Sequence, residues 1–285
     1  MSNQSSSAFT LGLTEERRFF DSGDRPLYGV IRRGLRRDAP VVLFCNSFAA
    51  DHDAKWRAEV IGAQVAAQHG YTTFSYHPRG HGDSAGNFAD VTFEGLVEDA
   101  QSAACYALQK SGASRIVWIG IRFGALVAAE ALRRRKDAVA LAVWEPIHSA
   151  HAYFRELLRQ NLYKDLALGR RPSMTADQMM ERLGREPSLG VPGFELYRTF
   201  SESASAADLL QSLETWDGPT LVAQFRRREK LTRENIRLQN VLERRGARVT
   251  ASVFVEKSNP NSQIPPQWFN EDLILRTAAW LDGLD

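Results

Sequence analysis

The sequence predicts an α/β fold: a mostly parallel, eight-stranded sheet with helices on both faces and a helical cap inserted between two of its strands. Three observations predict it. Short apolar runs bounded by turn residues alternate, from the third run onward, with segments whose apolar residues recur at helical spacing. That rhythm breaks once, between Ile147 and Trp216. The chain's 285 residues, 44% of them hydrophobic, are enough to bury a sizeable core.

The expected strands are Arg17–Phe20, Leu27–Arg32, Val41–Cys45, Thr72–Tyr76, Ile116–Ile119, Leu141–Trp144, Thr220–Phe225 and Val249–Val255. Between and after them, Trp56–Gln68, Phe93–Lys110, Ala125–Arg135, Arg233–Arg245 and Asn270–Leu281 carry the helical pattern. Alternation of this kind calls for a parallel sheet covered on both faces. The stretch Ile147–Trp216 is polar and helical with Gly and Pro punctuation, and it reads as a cap without strands. The expected organisation is therefore a core of residues 1–146 and 217–285 with the cap at 147–216. Tyr153, Phe154, Leu157, Tyr163, Phe194 and Tyr197 are expected to shape the cap's apolar underside.

Composition narrows the classes of partner. Lys plus Arg number 36 against 34 Asp plus Glu, a formal charge of +2, too weak a field to argue for nucleic acid. The two cysteines, Cys45 and Cys105, fit no metal or redox spacing, which suits a reducing cytoplasm. The first residues lack the basic start and apolar run of a secretory signal, and no apolar stretch is long enough for membrane insertion. A cytoplasmic protein with a small-molecule ligand is expected, with a protein partner or a homodimer left open. Neither cofactor nor metal is expected.

The sharpest local feature is the apolar run from Ile116 that passes through Gly120, Arg122 and Gly124 into a helix. A strand entering a helix through a turn with glycines two residues either side of its centre is the pattern of a nucleophile elbow, whose central residue is normally the attacking Ser. Here that residue is Arg122. A cation at a helix start faces the positive end of the helix dipole, so it needs a carboxylate. Glu145, ending the strand Leu141–Trp144, is the expected ion-pair partner.

Further segments match a family in order. His77 to Gly86 resembles the loop after the fourth strand of α/β-hydrolases, where Ser84 would be a turn residue. The run Gly86 to Asp99, the elbow, and Val143 to Pro146 followed by Tyr153 and Leu157 to Arg159 are similar to hydrolase-like proteins associated with exosortase systems. Those proteins also resemble hydrolases with Arg at the elbow. The resemblance spans Pro40 to Leu210 and implies the α/β-hydrolase fold.

The same resemblance implies where a catalytic triad would lie. The His belongs in the loop after the last strand, between Glu256 and Phe269, yet no His follows His151. The acid belongs after the preceding strand, where Glu229 is the only carboxylate among Arg226, Arg227, Arg228 and Lys230. Other residues can be weighed as substitutes. Cys45 precedes the loop Asn46-Ser47-Phe48 that contributes an oxyanion N–H in this fold, so its thiol is either a displaced nucleophile or a small buried hydrophobe. His148 and His151 open the cap, as cleft residues or as solvated ones. His77 and His81 are more naturally structural, Ser47 is a hydrogen-bond donor to a ligand or an idle loop residue, and the Arg226–Lys230 run holds an anion or is a solvated face.

The residues point first to an atypical α/β-hydrolase-fold enzyme lacking the Ser-His-Asp triad and binding an anionic or carbonyl-containing small molecule at Arg122. Glu145 and His148 would assist, with Ser47, Phe48, Phe123 and Cys45 around the ligand. The alternatives are a catalytically inactive pseudohydrolase acting as a binding or interaction protein, and an esterase-like or thioesterase-like hydrolase with a displaced nucleophile.

Overall fold

The computed structural model describes residues 13–48, 50–226, 229–255 and 271–284. The strands are β1 (Glu15–Ser22), β2 (Arg25–Arg32), β3 (Val41–Cys45), β4 (Thr73–Tyr76), β5 (Ile116–Ile121), β6 (Ala138–Trp144), β7 (Ser188–Val191), β8 (Phe194–Tyr197), β9 (Thr220–Arg226) and β10 (Val249–Val255). Eight of them form one sheet in the order β1-β2-β4-β3-β5-β6-β9-β10. The β1–β2 and β2–β4 pairs are antiparallel and the other pairs of this sheet parallel.

Helices cover both faces because the central strands are apolar on both. In β3, Val41, Leu43 and Cys45 join one core cluster while Val42 and Phe44 join the other. In β5, Ile116 and Trp118 likewise oppose Val117, Ile119 and Ile121, the two-residue period of a strand. The first face is covered by α2 (Phe93–Ser111) and α3 (Gly124–Arg133), the second by α1 (Ala50–Gln68) and α9 (Glu271–Asp282). Helix α2 shows how sharply local chemistry sets the ends: Thr92 Oγ1 accepts from Gly95 N–H at 3.1 Å, and Gly112 closes the helix at φ 75°.

Between β6 and β9 lie α4 (Ala150–Ala167), α5 (Ala176–Leu183), the β7–β8 hairpin, α6 (Arg198–Ala204) and α7 (Leu209–Ser212); α8 (Arg233–Arg244) follows β9. The hairpin corrects the expectation of a strandless insertion. Its turn is Pro192-Gly193 with Gly193 at φ 93°, a proline–glycine signal visible in the sequence, but each strand is only four residues long. Tyr153, Phe154 and Leu157 are buried in the main core cluster and Phe194 packs against it, whereas Tyr163 is exposed and shapes no underside.

Helix α1 begins at Ala50, six residues before the expected start at Trp56, and beside its buried Ala63, Val65 and Ala66 it turns charged residues inward. Trp56 is 53% exposed while Lys55 and Glu59 are 5% and 2% exposed. A helix turns charged residues inward only where partners wait for them.

Candidate functional site

The β5–α3 turn is built by close approach. A Cβ on Gly124 would lie 2.1 Å from the Cys45 carbonyl oxygen and 2.4 Å from that of Asn46, and one on Gly120 would lie 2.5 Å from Ala125 Cα. Only glycine lets β3, β5 and α3 meet in this way. Arg122, between the two, sits at φ 54°, a left-handed conformation costly for a residue with a Cβ. Glu145, at the end of β6, is at φ 50°. The two strained residues are tied through the backbone, since Arg122 N–H donates to Trp144 O at 2.9 Å and Ile147 N–H donates to Arg122 O at 3.3 Å.

Arg122 does not pair with the Glu145 carboxylate. Its Nε donates to Asp51 Oδ2 at 3.1 Å, and Nη1 reaches only the Glu145 carbonyl, at 3.4 Å. The Glu145 carboxylate accepts instead from the backbone N–H of Phe225. The physical reason lies in the helix ends. Asp51 occupies the first turn of α1, where the dipole favours an anion, and it faces the elbow across the loop after β3.

Asp51 joins three parts of the chain. Tyr153 Oη of α4 donates to Asp51 Oδ2 at 2.8 Å, its ring lies 5.9 Å from the Arg122 guanidinium carbon, and Lys55 Nζ is 3.7 Å from Asp51 Oδ1. The inserted segment is thereby hydrogen-bonded to the elbow's counter-ion. Strand-end patterns point to neither Asp51 nor Lys55; the signal for them is the charged stretch Asp51-His52-Asp53-Ala54-Lys55 opening a helix.

Burial pushes the Lys55 ammonium down to about 8 from its ordinary 10.5, against the pull of Asp51 and with a further push from Arg122. An unfolded lysine keeps its proton up to about 10.4, so between the two values the unfolded chain binds more protons and stability rises with pH. The stability of the wild type relative to Lys55→Met is expected to grow by at most about 3 kcal/mol from pH 7 to 10.5. Chemical denaturation at stepped pH measures it, and a constant difference refutes it.

The four expected binding residues do come together. Cys45, Ser47, Phe48 and Phe123 line one pocket of about 20 Å³ beside the turn, with Asn46, Tyr76 and Gly124 among its other walls. That is room for about one water. Phe48 is stacked 4.4 Å from Phe200 and lies 5.5 Å from Phe123, closing the space with aromatic rings. Ser47 is buried rather than idle on a loop: its N–H donates to Glu59 Oε1 at 2.9 Å, and its hydroxyl donates to the same oxygen. Cys45 is 2% exposed, and burial pushes its thiol up to about 12, so at neutral pH it carries no thiolate to attack with.

The histidines disperse. His148 is held by Asn235 at 2.8 Å from its Nε2 and burial lowers its pKa, while His151 is exposed. His81 packs between Phe48 and Phe88, its Nδ1 3.0 Å from Arg79 O, and burial pushes it down to about 4. His77 Nδ1 accepts from Asp83 N–H at 3.3 Å. Ser84 is a turn residue, accepting from Tyr28 N–H at 2.8 Å and donating to His77 O at 2.5 Å. Arg227, Arg228 and the loop 256–269 lie outside the described residues, among which no group of His, Cys, Asp and Glu is arranged to hold a metal ion. No helix among the described residues is long and apolar enough to cross a membrane.

The family model described as Serine aminopeptidase, S33 (Hydrolase_4) matches residues 52–224, from the start of α1 through the elbow and the insertion to β9. The chain belongs to this family. No curated protein matches the chain in sequence. Among solved structures, the chain is similar to ferulic acid-bound Est1E from Butyrivibrio proteoclasticus, at 16% identity over 94% of this chain and 97% of that one, with a TM-score of 0.67. It is also similar to a putative hydrolase from Agrobacterium vitis S4, at 14% identity over 96% and 99% with a TM-score of 0.62. The Pyrococcus furiosus esterase PF2001 matches at 15% identity over 100% and 95%, TM-score 0.61. At such identities the likeness is one of fold, and the fold is that of the α/β-hydrolases.

Proposed function

We propose that this S33-family chain is a pseudohydrolase, a protein that keeps the hydrolase scaffold, performs no acyl transfer at its elbow, and acts by binding. The observation that carries this reading is the engagement of Arg122 with Asp51 at the apex where the fold presents its nucleophile. A guanidinium cannot give up a proton to become a nucleophile, and the adjoining pocket of about 20 Å³ leaves no space for an acyl group. Residues 147–216 then act as a cap over a core of residues 1–146 and 217–285, with Tyr153 to Asp51 as the tie between them. The similarity of its segments to proteins of exosortase systems supports a role as a binding partner in such a setting.

The purified protein is expected to show only background hydrolysis of activated short-chain esters. Turnover well above background that a serine-reactive phosphonate abolishes would overturn the reading, and turnover lost in Cys45→Ala would restore the displaced-nucleophile reading. The atypical-enzyme reading has one observation in its favour, the 24% exposure of the Arg122 side chain, which leaves N–H groups for an anionic or carbonyl ligand. It requires that Arg122→Met lose ligand or activity while remaining folded.

A further inference from the structure

Helix α1 packs over the sheet face on which Val30 and Arg32 of β2 stand beside Thr73 and Ser75 of β4, Val30 being paired with Ser75 and Arg32 with Thr73. The face is confirmed by Thr73 Oγ1, which donates to Ala63 O of α1 at 3.2 Å. Toward the carboxyl end of β4 this packing opens into a cavity of about 160 Å³ whose walls include Arg32, Asn46, His52, Trp56, Glu59 and Ser75.

Its walls hold polar atoms without partners. Arg32 Nη1, Asn46 Oδ1 and Ser75 Oγ are buried and make no hydrogen bond in the protein. Arg32 is the most telling, because its side chain is only 4% exposed and its Nε is already held by Glu15 Oε1 at 2.7 Å. A guanidinium N–H buried without an acceptor costs free energy that a fold does not normally leave unrecovered. Glu59 and His52 also line the cavity, Glu59 Oε2 lying 3.2 Å from His52 Nδ1. Trp56, 53% exposed, flanks the opening.

We propose that this cavity binds a small carboxylate carrying a hydroxyl or amino group, its carboxylate taken by Arg32 and Ser75 and its donor by Asn46. The complementarity is one of hydrogen bonding. A carboxylate oxygen accepts from the unpaired Nη1 of Arg32, the Ser75 hydroxyl donates to it, and the Asn46 amide oxygen accepts from the ligand's own hydroxyl or ammonium. The volume equals that of about five waters, which admits a 2-hydroxy acid or a small amino acid and excludes a long acyl chain. The cavity shares Asn46 and Tyr76 with the pocket beside the elbow, so an occupant would stand next to the oxyanion loop without touching Arg122. The inference is independent of whether the elbow is catalytic.

L-Lactate and L-alanine, titrated calorimetrically into the full chain, test it, with propane-1,2-diol as a probe lacking the carboxylate. Binding is expected for one or both carboxylates and not for the diol. Ser75→Ala should leave thermal stability unchanged or raise it, since it removes an orphaned hydroxyl, while weakening the carboxylate about tenfold. Arg32→Lys, which keeps charge beside Glu15, should abolish binding, and if it fails to fold Ser75→Ala still decides. No heat from either carboxylate, equal heats from the diol, or affinities unmoved by Ser75→Ala would each overturn the proposal and leave a cavity filled by water.

Discussion

Asp51→Ala is expected to lower the free energy of unfolding by about 3–5 kcal/mol, more than Arg122→Met. The carboxylate holds the Arg122 guanidinium, accepts from Tyr153 Oη and faces the ammonium of Lys55, a lysine only 5% exposed. Removing it leaves two cations facing each other at the amino end of α3 and orphans a buried tyrosine hydroxyl. Removing Arg122 instead leaves Asp51 with two of its three partners, so Arg122→Met should cost about half as much. Urea denaturation of the two variants checks the order. Equal costs, or a smaller one for Asp51→Ala, would mean that the cluster is not what ties the insertion to the elbow.

Gly124→Ala is expected to cost about 3 kcal/mol or more, or to prevent folding. The added carbon would meet two carbonyl oxygens of the β3 loop, at 2.1 and 2.4 Å, and neither is the end of a flexible side chain. Relief requires that α3 and β3 separate, which opens the core beneath Phe123. Gly112→Ala is the complement: Gly112 sits at φ 75°, where a side chain is strained, whereas Gly124 is not at a positive φ, and nothing lies within 4 Å of the new carbon, so its cost should be about 1 kcal/mol. Thermal melts of both variants separate steric conflict from backbone strain, and similar losses would contradict the close-packed elbow.

The sheet was legible because its strands are apolar for a reason that sequence shows directly: both faces are buried, so runs such as Val41–Cys45 and Ile116–Ile121 carry no polar residue. The elbow was legible because its glycines are demanded by backbone contacts. The partner of Arg122 was not, since the distance that selects Asp51 over Glu145 depends on where α1 docks, 71 positions away in sequence. Helix α1 itself was read by its apolar positions alone, which hid its early start and the burial of Lys55 and Glu59. The β7–β8 hairpin was obscured by its brevity, although Pro192 and Gly193 mark its turn.

The inward charges of α1 also bear on the order in which the chain assembles. An isolated helix with no coherent apolar stripe has little to drive it onto a sheet, and although Lys55 and Glu59 find partners nearby in Asp51, His52 and Ser47, the other partners of Asp51 belong to the elbow and to α4, 71 and 102 positions away. Docking of this helix therefore waits for contacts of long sequence separation, whose closure entropy must be met first. Until the elbow and the insertion are in place, Asp51 lacks two of its three partners. Docking of this helix on the second face of the sheet is thus also the step that neutralises Arg122.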